Sequence, residues 1–373
     1  MPSLKSALRH VLASDYALRL LPPALLGRRA TVFMLHRFAH PGGEPHGHDP
    51  EVLRASLALL RRNRYTLLSL GELVARLQEG APPPSRSVVF TVDDGYADFA
   101  EIGAPVFAEF DCPVTVFLTT GFLDGINWLW WDQLQYVLLA TPRRTLTLTV
   151  DGTDLRYEWE GRADRRWVAG QIADELKRVA DAVRHRLITE VASRLDVEIP
   201  TRCPPRYRPM SWDEVRSCAA RGASFGPHTV THPILSRVTD DVAEHEIAGS
   251  WSRVRAETAA TTPVLCYPNG DPASFGERER RIARATGLIA AVTTEPRHVT
   301  TREFTGGGGE DPAYRLPRFG YPLTTNGLAQ VVSGLEQVKG AVRGALAFPS
   351  GAAATHRVRY ALPSATDGPR FTF

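Results

Sequence analysis

Cysteine is scarce in this chain: four occur among 373 residues, Cys112, Cys203, Cys218 and Cys266, and no two of them form a C-x-x-C pair. Neither a disulfide framework nor a cysteine zinc site is therefore expected. Charge of one sign is also lacking. Forty-four Lys and Arg stand against 41 Asp and Glu, a net of +3, which gives no electrostatic case for nucleic acid as the main partner. No apolar run approaches the ~18 residues that a membrane-spanning helix requires. The first 29 residues lack the continuous apolar core of a secretory signal, because Arg9, His10, Asp15 and Arg19 interrupt it. Export is not expected, and a cytoplasmic location is the default. That segment does place Leu4, Leu8 and Leu12 at helical spacing among five basic residues and one acidic residue. It reads either as a helix capping the domain or as a peripheral contact with the inner membrane face.

What is present is an ordinary globular composition, 43% hydrophobic and 23% charged, with no internal repeat. Short β-branched and aromatic runs at 31–36, 87–92, 113–118, 223–226, 263–267, 289–293 and 314–318 alternate with helical patterns. This is the signature of βα units around a mainly parallel sheet. Seven such alternations favour a TIM-like (β/α)7 barrel over an open sheet. Capping boxes at Ser69/Glu72, Ser211/Glu214 and Ser274/Glu277 mark helix starts, and Gly287 marks a helix end. The rhythm breaks over 124–210. There an aromatic cluster (Trp128, Trp130, Trp131) precedes a hairpin pattern, TLTLTV-DGTD-LRYEWE, and a long helical region at 164–195. This α+β stretch reads as an insertion, a lid or a substrate wall, within a barrel spanning 30–322. Residues 323–373 read as a C-terminal helix and a tail rich in small residues, and 306–309 as a glycine loop.

Three segments could carry chemistry. SVVFTVDDGYADF (87–99) runs a buried-type strand into Asp93 and Asp94. Active sites of α/β barrels lie at these C-terminal strand ends, and neighbouring side chains there point in different directions. One carboxylate can hold a cation while the other handles a proton; alternatively, Asp-Asp-Gly is turn chemistry alone. SFGPHTVTHPIL (224–235) places His228 and His232 four apart after a short strand. A helical turn there would put both imidazoles on one face, able to chelate one ion. Spacing alone is weak, since His36 and His40 share it. PVLCYPNGDPASF (263–275) runs a strand into a turn that can offer a backbone N–H to a developing oxyanion.

In this order, each after a strand, the segments resemble the polysaccharide deacetylases, carbohydrate esterase family 4, with the NodB homology domain. Thr91-Val92-Asp93-Asp94-Gly95 matches the family's T-x-D-D-G, and His228-Thr229-Val230-Thr231-His232 matches H-[ST]-x-x-H. The resemblance covers roughly 30–322 outside the insertion. It implies a distorted barrel, Asp93 as general base, and Asp94, His228 and His232 as ligands of one divalent metal ion. Zinc fits those donors best, with cobalt, nickel and manganese as alternatives.

Two departures stand out. The family's third motif, R-x-P-Y-G, supplies an arginine that holds the base. Here Cys266-Tyr267-Pro268-Asn269-Gly270 has none, though Asn269 would still offer its N–H. Arg318, in YRLPRFG, could bring a guanidinium from a neighbouring strand. There is also no terminal L-x-H motif for the general acid. The front strand instead ends in Met34-Leu35-His36, as in family members that act on exopolysaccharides with a permuted motif order. His36 is the candidate acid; the other reading is one histidine in a loop with His40, His46 and His48.

The implied reaction is hydrolysis of an N-acetyl group on an amino sugar, in a polysaccharide or glycan precursor, with acetate released. A hydrolase of cyclic amides and an inactive glycan-binding homologue are the alternatives. The tryptophans would suit stacking on sugar rings, or core packing.

Overall fold

The computed structural model describes residues 28–40, 47–305 and 312–334. The expectations for the N-terminal leucines, for His46, for the glycines at 306–309 and for the tail beyond 334 lie outside those residues. Among the described residues no helix is long and apolar enough to cross a membrane, and the four cysteines are free.

The architecture is a distorted (β/α)7 barrel carrying an α+β insertion. Strands β1 (Ala30–Leu35), β2 (Thr66–Leu68), β3 (Ser87–Val92), β4 (Val114–Leu118) and β7 (Ala223–Pro227) are parallel, as are β8 (Val264–Cys266), β9 (Ala290–Val292) and β10 (Phe319–Gly320). The main sheet runs β10-β1-β3-β4-β7, and β2 shares the flank of β3 with β4. Single parallel bridges, Phe225 to Thr261 and Val292 to Leu316, join the β8–β9 pair to the two ends of that sheet and bring the ring round. The distortion lies in these one-residue joints.

All six residues of β3 are buried, the pattern of a parallel strand covered on both faces. Alternate residues part into two cores. Phe33, Leu35, Val88, Phe90 and Val92 pack outward with Leu53, Leu57 and Phe107 of the surrounding helices. Ala30, Val32, Val89, Phe117, Val264, Cys266, Ala290 and Val292 turn inward and fill the barrel. Because side chains alternate strictly, residues two beyond an inward position also face the axis. His36, Asp93 and His228 hold that parity at the C-terminal ends of β1, β3 and β7.

The insertion has its own core. The hairpin β5 (Thr145–Val150) and β6 (Thr153–Glu158) closes through Asp151 and Gly152, both at positive φ as a type I′ turn needs. The expected helix over 164–195 is two helices, Arg162–Leu176 and Asp181–Arg194. An unbroken helix of that length would run about 48 Å. The break lets Val168, Ile172, Leu176, Leu187 and Val191 fold back onto Trp130, Leu134 and Leu138, with Val179 buried at the corner.

Two further local expectations are corrected. Residues 314–318 are not a strand. A 3-10 turn at Pro312–Arg315 leads to the Leu316 bridge, and pairing with β1 begins only at Phe319, because the segment must step from β9 across to β1. The Ser274/Glu277 box does not form: Ser274 bonds Asp271, and Glu279 reaches back to the Gly276 N–H at 2.7 Å to start the helix Glu277–Ala285. Strand β2 has no signal in the sequence, because three residues carry no periodicity. The Ser211/Glu214 box forms in full, and Ser69 caps its helix by accepting the Glu72 N–H at 3.0 Å.

Candidate metal centre and proton-transfer site

The register of β1 on β3 sets Leu35 beside Val92, so His36 and Asp93 leave adjacent strands side by side, and the Asp93 N–H donates to Leu35 O at 2.9 Å. The chain then turns sharply, with Asp94 at φ 75° and Gly95 at φ 88°. A side chain at Gly95 would bring its Cβ within 2.9 Å of Leu118 Cδ2, so glycine is required there. This turn sends the two carboxylates apart. Asp93 points across the barrel and Asp94 towards β7.

Asp93 meets Arg318. The guanidinium grips it with two bonds, Nη1 to Oδ1 at 2.7 Å and Nη2 to Oδ2 at 2.8 Å. Nε donates to Thr293 O at 3.0 Å, Nη1 also to Thr91 Oγ1 at 2.9 Å, and Nη2 to Cys266 Sγ at 3.2 Å, with the cation above Phe117. Arg318 is fully buried yet bonded at every nitrogen, which a buried guanidinium needs. Cys266, standing where the family motif has arginine, accepts from the guanidinium that arrives from the far end of the chain. Burial pushes the Asp93 carboxyl up, but the charge and bonds of Arg318 outweigh it and hold the group well below the usual carboxylate range.

Asp94 meets the histidines. Its Oδ1 lies 3.5 Å from His228 Nε2 and 3.6 Å from His232 Nε2, and the two Nε2 atoms are 3.1 Å apart. Ligand bonds of about 2.0–2.2 Å at near-tetrahedral angles put ligand atoms about 3.3–3.6 Å apart, so the donor set fits one cation. His228 Nδ1 is 2.8 Å from the carbonyl of Cys266. With Nδ1–H donating there, the Nε2 lone pair faces the shared point. Burial pushes the His232 imidazole down to about 3, towards the neutral form that ligates, while the carboxylates of Asp94 and Asp93 beside His228 push that imidazole up.

The pair does not share a helical face. Residues 228–234 form a loop in which Thr229 (φ 65°) and His232 (φ 59°) adopt left-handed backbone, a strain that persists only where the surroundings enforce it. Glu246 does much of this. Buried in a π-helical turn at His245–Gly249, its carboxylate accepts Val230 N–H at 2.7 Å, Thr231 N–H at 2.8 Å and the Thr231 hydroxyl at 2.6 Å. From the other side Thr120 and Gly121 donate to the carbonyls of Thr229 and Val230, and a Cβ at Gly121 would collide with the latter at 2.6 Å. Glu246→Ala strips two buried N–H groups of their acceptor and is expected to weaken Zn²⁺ affinity about 10- to 100-fold, read by competition against a chelator. Glu246→Gln, which keeps an acceptor oxygen, should lose less.

The remaining expected residues divide. His36 Nε2 lies 3.9 Å from Asp93 Oδ2 with its side chain partly exposed, as a group meeting substrate must be. His40 pairs with Glu101 at 3.5 Å, and His48 packs edge-on against Tyr321. Asn269 (φ 65°) turns the chain just beyond β8, and its carbonyl accepts the Thr294 hydroxyl at 2.9 Å. It is on the barrel end that holds the site, but no bond ties it to Asp93 or the metal-type group among the described residues. Nothing local in the sequence signals Glu246 or the two residues that it holds, Val230 and Thr231. Glu246 lies 14 residues beyond the second histidine, and its role exists only through the loop's fold.

A family profile described as polysaccharide deacetylase matches residues 167–291, which takes in His228, His232 and the Asn269 turn but not Asp93 and Asp94. The match agrees with the resemblance carried by the His228–His232 motif. No curated protein matches the chain by sequence. Among solved structures, the Streptococcus pyogenes deacetylase PplD, in complex with acetate, aligns with a TM-score of 0.53 at 15% identity, over 82% of this chain and 98% of its own. That likeness is one of fold. IcaB from Ammonifex degensii (TM-score 0.48, 15% identity, 82% and 98% coverage) and the BpsB deacetylase domain from Bordetella bronchiseptica (0.47, 14%, 79% and 97%) also align.

Proposed function

We propose that this chain is a metal-dependent N-deacetylase that removes acetyl groups from N-acetylated amino sugars in a polysaccharide or glycan precursor. The observation that carries this reading is the meeting of Asp94 Oδ1, His228 Nε2 and His232 Nε2 within 3.1–3.6 Å, beside an aspartate clamped by a buried arginine. Asp94, His228 and His232 would hold the ion, which when bound supplies Lewis acidity towards water and the amide carbonyl.

The chain's own residues supply proton transfer and orientation. Asp93, kept ionised by Arg318, accepts the proton of the water that adds to the acetyl carbon. Arg318 fixes both carboxylate oxygens, so the base meets that water in one orientation. The N–H of Asn269 is assigned to the developing oxyanion. As the C–N bond breaks, protonated His36 gives its proton to the departing nitrogen. Asp93 gains one proton from water and His36 loses one to nitrogen; once Asp93 has given its proton back to His36 through solvent, amide and water have become acetic acid and an amine, which leave as acetate and an ammonium ion. Arg318 holds Asp93 as the family's motif arginine would, which supports the deacetylase reading over a cyclic-amide hydrolase.

The test uses the purified full chain. About one divalent ion per chain and acetate release from acetylated chito-oligosaccharides are expected, with activity lost on chelation and regained with Zn²⁺ or Co²⁺. Turnover that persists in metal-free protein would reject the reading. Turnover of cyclic imides without acetate release would transfer it to the alternative.

A further inference from the structure

The aromatic cluster that opens the insertion does not divide evenly between core and surface. Trp128 and Trp130 are buried, whereas Trp131 is half-buried and packs edge-on against His232, with ring centroids 4.5 Å apart at 69°. Its indole N–H donates to Tyr96 Oη at 3.1 Å, and the Tyr96 hydroxyl lies 2.6 Å from Asp132 Oδ2. The direction of this chain is fixed by chemistry. Indole can only donate, so the tyrosine oxygen accepts from Trp131 and spends its single proton on Asp132.

Tyr96 is itself immobilised. The Arg37 guanidinium lies 3.9 Å from its ring centroid, Phe122 packs edge-on at 5.3 Å, and Arg37 is anchored by Asp98 at 2.5 Å and Arg206 O at 2.7 Å. Tyr96 stands two residues after Asp94, and the backbone there is held by the other end of the insertion. Met210 N–H donates to Gly95 O at 2.8 Å, and Ala97 N–H donates to Arg208 O at 3.0 Å.

We propose that the 124–210 insertion completes the metal-binding half of the site, with Trp131, Tyr96 and Asp132 acting as positioning residues for His232 and for the loop that carries Asp94. The barrel alone orients His228, through Cys266. The other two ligands draw on the insertion as well as on the barrel, His232 through the ring packed by its entry beside the loop that Glu246 holds, and Asp94 through the strand-like pairing of its exit beside the Thr119 N–H that donates to its carbonyl. The insertion is therefore a fixed wall of the site, held on both sides of the Asp94 turn, and not a detachable lid. This inference rests on Asp94, His228 and His232 being the metal ligands.

The test reads metal binding and coordination geometry in the full-length protein rather than turnover. Tyr96→Phe removes both the acceptor for Trp131 and the donor to Asp132. It is expected to weaken Zn²⁺ affinity about tenfold and to shift the ligand-field absorption of the Co²⁺-loaded protein. Asp132→Ala should behave like Tyr96→Phe, while Asp132→Asn, which still accepts from the tyrosine, should restore most of the wild-type affinity. A change in folding stability alone would not move the Co²⁺ spectrum. If Tyr96→Phe and Asp132→Ala both bind Zn²⁺ as tightly as wild type with an unchanged Co²⁺ spectrum, the positioning role is overturned and the metal site stands. If the wild-type protein binds neither ion, the metal reading fails and takes this inference with it. Should Asp132→Ala not fold, Tyr96→Phe against Asp132→Asn gives the same contrast.

Discussion

Asp93→Asn is expected to lower acetate release by about 10²- to 10⁴-fold while the protein still binds its metal, because the amide keeps the shape of the carboxylate but cannot take a proton. The same substitution should also destabilise the fold. Arg318 is fully buried, and Asp93 is its only anionic partner among the described contacts. Removing that charge leaves a guanidinium uncompensated, and the asparagine NH2 now faces an arginine N–H. Breaking a buried pair in this way costs about 3–5 kcal/mol. Pairing Asp93→Asn with Arg318→Met removes both charges and should recover much of the stability without recovering activity. Denaturant unfolding and acetate assays on the single and double variants separate the two effects. An Asp93→Asn protein that still turns over would show that another group is the base.

Arg318→Met alone tests the electrostatics. In the intact pair, burial would raise the Asp93 carboxyl but Arg318 outweighs it. Without the arginine only the upward push of burial remains from these two, so the base becomes protonated at higher pH. The acid limb of the pH–rate profile should therefore move towards neutrality. The stability sign follows. A carboxyl held below its unfolded value contributes stability above about pH 4, and the contribution is lost as pH falls through the lower folded value. The wild type should accordingly outlast Arg318→Met at neutral pH, and the gap should narrow in strong acid.

How much of this was readable in the sequence depended on whether local pattern or long-range contact set each feature. The strands carrying the motifs were legible because short β-branched and aromatic runs such as 87–92 read as buried strands, and their ends place Asp93, Asp94, His228 and His232 at one barrel mouth. The mode of convergence was not. Four-residue spacing suggested a helical turn, whereas the imidazoles meet through a loop with two left-handed residues held by Glu246 and by Thr120 and Gly121, contacts invisible to periodicity. The helical pattern over 164–195 likewise continued through its break, because the residues at 177–180 carry no proline or glycine to signal one. The pattern at 314–318 puts Arg318 at the end of the last strand, whereas that strand begins one residue after it. Its guanidinium reaches Asp93 all the same, because what matters is its position between β9 and β1.

His36 offers the second large effect, and one that its neighbours cannot mimic. It follows β1, which pairs with β3 on one side and β10 on the other, and its Nε2 lies 3.9 Å from Asp93 Oδ2. An acid matters in proportion to how poor the leaving group is. An amine must be protonated to depart from a tetrahedral adduct, while a nitrophenolate need not be. His36→Ala is therefore expected to slow amide deacetylation by about 10²- to 10⁴-fold while leaving hydrolysis of 4-nitrophenyl acetate within a few-fold of wild type. Asp93→Asn should instead impair both substrates, since each requires an activated water. If His36→Ala slowed the ester as much as the amide, the histidine would be acting on the base, 3.9 Å away, and not on the leaving group. If it slowed neither, the acid would have to come from elsewhere on the barrel rim.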